Sequence, residues 1–257
     1  MLQFIFSDLS AAHTAFAIGI ALLAGFVKGA TGFALPMIMV SGLASVLPPE
    51  TAIAAMIVPT ILSNLWQSLR GGGISQALEL SGRFKIYIAT LLVFIVLSAQ
   101  LVAALPQNVL LLSLGLPIIA MALLLLRGRT IYIDPSKRGG YDFGVAAVSG
   151  IIGGLSGIWG PLTITYLTAI NTPKKEQIRL TGVIFGMGAV TLALAHLGSG
   201  VLNAQSLRLS VFMVVPVLAG QTLGNVVQDR LDQQRFRRVT LFVLVVAGLN
   251  LVRRGLM

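Results

Sequence analysis

The chain has 257 residues, 56% of them apolar and only 10% charged, where an ordinary soluble domain carries about 25% charged residues. Its 18 Lys and Arg against 8 Asp and Glu leave a net charge of +10, yet the mean hydropathy is +0.92. So few charges cannot cover a soluble globule of this size. This excludes a soluble enzyme, a disordered tail and, despite the basicity, a nucleic-acid-binding domain. With no Cys there is also no disulfide framework, thiolate nucleophile or Cys-ligated metal, and no cofactor is indicated. The composition is that of an integral membrane protein whose solvent is the lipid bilayer.

At the N-terminus no basic residue precedes His13, and Asp8 stands where a basic region should be, so a cleaved signal peptide is not expected. Residues 12–47 are apolar but interrupted by Gly25, Gly29, Gly32 and Pro36, which reads as a helix–break–helix hairpin. Helices follow near 51–69, 86–104 and 108–126. From Ile86 to Leu126 there is no charged residue, and the one interruption is the turn signature Pro106-Gln107-Asn108; two spans of about 20 residues each fit a bilayer. Residues 143–170 form a second broken apolar region, with Gly150, Gly153, Gly154, Gly157 and Pro161. Helices near 177–198, 208–227 and 236–254 complete the chain. The segments are rich in Leu and Ala without the alternation of barrel strands, and helices pair their own backbone amides in lipid, so the fold class is an all-α membrane protein.

The two broken regions superpose with a shift of 125 residues: Gly25 on Gly150, Gly29 on Gly154, Gly32 on Gly157, Pro36 on Pro161, and the hydroxyl of Thr31 on that of Ser156. The glycine clusters starting at Gly71 and Gly198 correspond at a shift of 127. The chain therefore reads as a duplication, 1–126 and 127–257, within one membrane domain. Basic residues at 70–85, 127–138, 174–179 and 230–238 account for 14 of the 18, while the connections at 47–50, 105–107 and 199–207 carry none. By the positive-inside rule the first set is cytoplasmic. Each half is then a broken-helix hairpin plus three crossings, and the odd crossing number inverts the second copy. Both termini fall on the non-cytoplasmic side, with Arg208, Arg253 and Arg254 as exceptions to the rule.

Inverted repeats with discontinuous helices near mid-membrane are the architecture of secondary transporters. Helices restarting just after Gly32 and Gly157 would aim unpaired N–H groups and positive dipole ends at the centre, a natural anion site. Thr31 and Ser156 would add hydroxyl donors, with Gly29 beside them. Lys28 is the charge placed inside the membrane, where a lysine is costly and points to function; the competing reading is a side chain snorkelling to the interface. No acidic residue falls inside a span, Glu50 and Asp142 being at edges, which favours an anionic solute over a cation.

Asn64 and Gln67 share one helix face, as do Gln221, Asn225 and Gln228; either they face the solute or they bond neighbouring helices. Trp159 lies inside the second break, and Gly186 and Gly188 suit close packing. The run Gly154-Leu155-Ser156-Gly157, with His196 on a later helix, also fits an intramembrane serine protease built on a Ser–His pair. The repeat offers another account, since the position matching Ser156 is Thr31.

With these motifs in place, the chain resembles the sulfite exporter family TauE/SafE, whose signature is a duplicated G-x-x-x-G-x-x-G segment followed by Pro. Here the copies run from Gly25 to Pro36 and from Gly150 to Pro161, and the resemblance covers nearly the whole chain. Phe33-Ala34-Leu35 and Ile158-Trp159 depart from the richer glycine pattern usual after the motif. The resemblance implies a bacterial inner-membrane permease for sulfite, thiosulfate or organosulfonates, exporting a small anionic solute. An anion channel or a non-transporting membrane subunit would share the topology, and a homodimer is compatible with it.

Overall fold

The computed structural model describes residues 11–69, 79, 81–128, 132–133, 138–227 and 233–257. Gly71 to Gly73, Gln228, Asp8 and several of the basic flanking residues lie outside them. The described residues form helices and no strand: α1 (Ala11–Thr31), α2 (Leu35–Leu43), α3 (Pro49–Leu69), α4 (Lys85–Ala99), α5 (Gln107–Arg127), α6 (Arg138–Ser156), α7 (Gly160–Ala169), α8 (Lys174–Ser199), α9 (Ala204–Val227) and α10 (Gln233–Leu256). Among the described residues six stretches are long and apolar enough to cross a membrane: Ala11–Thr31, Pro49–Leu69, Gln107–Arg127, Glu176–Ser199, Ala204–Val227 and Arg238–Leu256.

Several helix boundaries differ from the sequence reading, and two of the differences have a cause in local hydrogen bonds. Helix α4 ends at Ala99 and not near 104, because Leu101, Val102 and Ala104 turn to i−3 carbonyls ahead of Pro106. Helix α9 starts at Ala204 and not 208, because the Asn203 carboxamide oxygen accepts from the amides of Gln205 and Ser206, both at 3.0 Å, as a helix cap.

Glycine sets the closest packing. On α1, a Cβ at Gly25 or Gly29 would overlap the carbonyl oxygens of Val217 and Gln221 on α9; Gly220 and Gly224 of α9 meet Leu22 and Phe26 in return. Helix α6 crosses α4 by the same device, since a Cβ at Gly150 would lie 2.6 Å from Phe94 Cβ and one at Gly154 2.5 Å from the Ile95 carbonyl. Small residues allow such approach between apolar helices, where van der Waals packing supplies the attraction. Helices α3 and α8 pack together at the centre, and α5 lies against α10, with Gly115 at Gly248.

Helix α3 bends its hydrogen-bond ladder at Pro59, which has no N–H for the Ala55 carbonyl. Ser210 of α9 fills the gap, donating to Ala55 at 3.2 Å and accepting from the Val58 amide at 3.0 Å.

The ends of the bundle follow from these contacts. The start of α3 and the end of α8 line one cavity of about 610 Å³, with Leu47, Glu50, Ser199 and Ser206 in its wall. Arg254 of α10 donates to the Ala44 carbonyl at that same end, where the α1–α2 hairpin is rooted. At the other end, Glu176 of α8 pairs with Arg83 at 3.6 Å, and Arg138 at the start of α6 donates to the Arg83 carbonyl at 3.1 Å. The α6–α7 hairpin is rooted there.

Candidate functional site

Both breaks are built alike. Gly32 has φ +83° and Gly157 φ +73°, a left-handed turn that ends a helix without Cβ strain. The Gly32 amide donates to the Lys28 carbonyl and that of Gly157 to Gly153, both at 2.7 Å. Thr31 Oγ1 donates to the Val27 carbonyl at 2.8 Å, and Ser156 Oγ to Ile152 at 2.6 Å. Each hydroxyl then accepts from the amide two residues on, Phe33 at 3.4 Å and Ile158 at 3.3 Å. Thr31 and Ser156 were expected to offer donors to a solute. Their protons are instead held by their own helices, four residues back, so they shape the breaks.

After each break a helix restarts with its N-terminus toward the same small cavity. Ala34 precedes α2 and Trp159 precedes α7, and neither supplies a side-chain cap. The cavity is lined by Phe33, Ala34, Pro36 and Met37 from the first break and by residues 157–161 from the second. Lys28, Thr60, Asn64 and Phe185 complete its wall. Its volume is about 20 Å³, room for one water. Lys28 is 3% exposed and its ammonium donates to Asn64 Oδ1. Snorkelling to an interface is therefore not what the side chain does.

The remaining expected residues divide by position. Gly29 lies at the α1–α9 crossing, against the Gln221 backbone, with the Asn225 amide near it; the Asn225 side chain is half-buried. Gln67 donates to the Ile178 carbonyl at 3.2 Å and to Thr181 Oγ1 at 3.3 Å, tying α3 to α8. Gln221 Nε2 reaches the Ser63 carbonyl at 3.5 Å, tying α9 to α3. Trp159 is 2% exposed, its ring lying between Gly153 and Gly188, where added Cβ atoms would come within 2.7 and 2.9 Å of it. The Met56 methyl packs on Gly157. Met56 stands on α3 between Thr60, in the central cavity, and Thr51, in the larger one, a rise of about 13 Å.

Asp142 corrects the sequence reading. Helix α6 begins at Arg138, five residues before the expected 143, so Asp142 sits in its second turn and is 5% exposed. Tyr166 of α7 donates to Oδ1 at 2.5 Å, and Arg138 lies 3.4 Å from Oδ2. Tyr166 stacks on Tyr87 of α4, with centroids 5.2 Å apart. Tyr87 donates to Thr163 Oγ1 at 2.9 Å, and Thr163 to the Trp159 carbonyl at 2.9 Å. This network fastens α6 and α7 to α4. Sequence periodicity carried no sign of it beyond the i, i+4 spacing of Arg138 and Asp142.

The protease constellation does not assemble. Ser156 bonds Ile152, whereas His196 Nδ1 lies 3.3 Å from Ser199 Oγ near the far end of α8. What assembles is a closed, mostly apolar chamber holding one ammonium group and two positive helix ends.

The family model for the sulfite exporter TauE/SafE matches residues 17–251. The chain belongs to that family. TauE/SafE proteins are membrane transporters of sulfite and related sulfur anions and not enzymes, and the match spans both breaks, the Lys28 chamber and the Asp142 network of this TauE/SafE chain. No curated protein and no solved structure matches it.

Proposed function

We propose that this TauE/SafE protein is a permease that moves a small sulfur-containing oxyanion, such as sulfite or an organosulfonate, by alternating access around the two breaks. The observation that carries this reading is the meeting of two uncapped helix N-termini and the Lys28 ammonium in one chamber. Helix N-termini present free amides and a partial positive charge, and a buried amine beside them gives a site whose net potential attracts an anion. Pro36 and Pro161 restart each helix early and remove one amide apiece.

The chamber has room for one water, so the described conformation is closed around the site, with the larger cavity as a vestibule toward one end. A closed chamber favours a carrier over a channel. The glycine crossings and the opposite roots of the two hairpins support reading 1–126 and 127–257 as inverted repeats. With the basic ends cytoplasmic, the vestibule and both termini lie outside a bacterial inner membrane. Export is the direction the family's name suggests, and a homodimer is compatible with this reading.

The test is uptake of radiolabelled sulfite by proteoliposomes. Wild type shows saturable uptake and counterflow, while Lys28→Met, which keeps length and removes charge, lowers uptake by about 10- to 100-fold, the value of a charged hydrogen bond. Non-saturating flux would mean a channel, and unchanged flux in Lys28→Met would overturn the site.

A further inference from the structure

Next to Lys28, helices α1, α3 and α9 meet at a junction that holds three buried polar atoms with no hydrogen-bond partner among the described residues: Ser63 Oγ, Asn64 Nδ2 and Gln221 Oε1. Ser63 and Asn64 are fully buried and Gln221 is 3% exposed. Their chemistry is fixed by the bonds around them. Asn64 Oδ1 accepts from Lys28, so the atom left over is the Nδ2 donor. Gln221 Nε2 donates to the Ser63 carbonyl, so the atom left over is the Oε1 acceptor. Both orientations follow from the neighbour each amide meets, an ammonium donor for Asn64 and a carbonyl acceptor for Gln221.

Ser63 differs from the hydroxyls near it. Thr31, Thr60, Ser156 and Thr163 each donate to the carbonyl four residues back, the usual resort of a hydroxyl within a helix. Ser63 makes no such bond among the described residues and keeps its donor and acceptor free. One donor, one acceptor and one hydroxyl able to act as either are therefore left over on adjoining residues: Ser63 and Asn64 are consecutive on α3, and Gln221 Nε2 meets the Ser63 carbonyl at 3.5 Å. Leaving such atoms unmatched in a membrane protein's interior is costly. A second hydroxyl matches all three: it accepts from Asn64, donates to Gln221 and exchanges with Ser63.

We infer that the Ser63–Asn64–Gln221 junction is a hydroxyl subsite, and that the solute carries a hydroxyl group in addition to the anionic head bound at Lys28. Asn64 couples the two ends, its oxygen held by the ammonium and its nitrogen offered to the hydroxyl. This rests on the permease reading and narrows it from sulfur anions in general to hydroxylated ones. A site built to bond a hydroxyl rejects the analogue lacking it more strongly than an apolar pocket rejects a size change.

The experiment compares ethanesulfonate with 2-hydroxyethanesulfonate, which differ by that single group, as radiolabelled solutes in proteoliposomes of the full chain. Wild type takes up the hydroxylated solute with a kcat/KM at least about tenfold higher. In Gln221→Met the ratio falls toward one, because uptake of the hydroxylated solute drops more. Ser63→Ala, a smaller change that keeps the fold if Gln221→Met does not, reads the same ratio.

Equal uptake of the two by wild type overturns the subsite and leaves the permease reading standing. A variant that lowers both solutes by the same factor also overturns it, and points to a bound water or to packing at the junction. If wild type moves neither sulfonate nor sulfite, the permease reading fails and the subsite with it.

Discussion

The two broken hairpins share a backbone and differ in where they keep their charge. In α1–α2 the charge is Lys28, at the break itself, held by one carboxamide. In α6–α7 it is the Arg138–Asp142 pair, about four to five turns from the break, bound into a network with Tyr166 and beside Tyr87. The position matching Lys28 is Gly153, over which Trp159 packs, while the position matching Trp159 is the small Ala34. The first hairpin thus brings a cation to the chamber and the second brings bulk. An anion site needs the former, and a wall that excludes water needs the latter. Identical halves could not supply both.

The shared part of this comparison is the easiest to break. Gly25→Leu and Gly154→Leu each drive a side chain into the backbone of the facing helix, at α9 and α4 respectively. Both lose folded protein by detergent size-exclusion chromatography, at a cost above about 4 kcal/mol. A well-folded Gly154→Leu would show that only the first crossing is obligatory.

The charges separate next. Asp142→Ala removes a buried carboxylate from Tyr166, which is itself buried, and from Arg138, whose side chain is 30% exposed and can turn to water, so about 2–3 kcal/mol of stability is lost. Lys28→Met leaves thermal stability level or higher, because an amine without a carboxylate is costly to bury, while flux falls. Denaturation midpoints for the two variants side by side check this, and a Lys28→Met protein as damaged as Asp142→Ala would break the distinction.

The smallest effect concerns the two turns. Gly32→Ala places a Cβ in open space and pays only the left-handed strain, about 1–2 kcal/mol. Gly157→Ala adds a collision with the Met56 methyl, so it destabilises further. In a Met56→Ala background, which has its own core cost, Gly157→Ala costs about what Gly32→Ala does, read by thermal denaturation of the double variant against Met56→Ala alone.

Much of this was legible in the chain alone. Spans, breaks and the intramembrane lysine follow from hydropathy, glycine spacing and charge, which are local properties that a bilayer reads directly. Asn64 and Gln221 stood out as polar residues on apolar helix faces. Phe185 and Met56 did not, because an apolar side chain in an apolar helix gives no sign of whether it meets lipid or a chamber. Asp142 falls at a membrane edge in the sequence reading because the apolar run begins at 143; in the structure α6 begins at Arg138, even through Gly139 and Gly140, with Asp142 bonded to Tyr166 and Arg138 to the Arg83 carbonyl.

By itself, then, the sequence determined the membrane class, the helical fold, the two helix breaks and the position of Lys28 in the apolar stretch beside the first of them. Only the tertiary structure decided that both breaks line one chamber, that the Thr31 and Ser156 hydroxyls turn back on their own helices, and that Ser63, Asn64 and Gln221 leave three polar atoms free beside Lys28. The reason is physical. Solvent preference is a sum over neighbouring residues, whereas hydrogen-bond partnership depends on which distant helices come within about 3 Å.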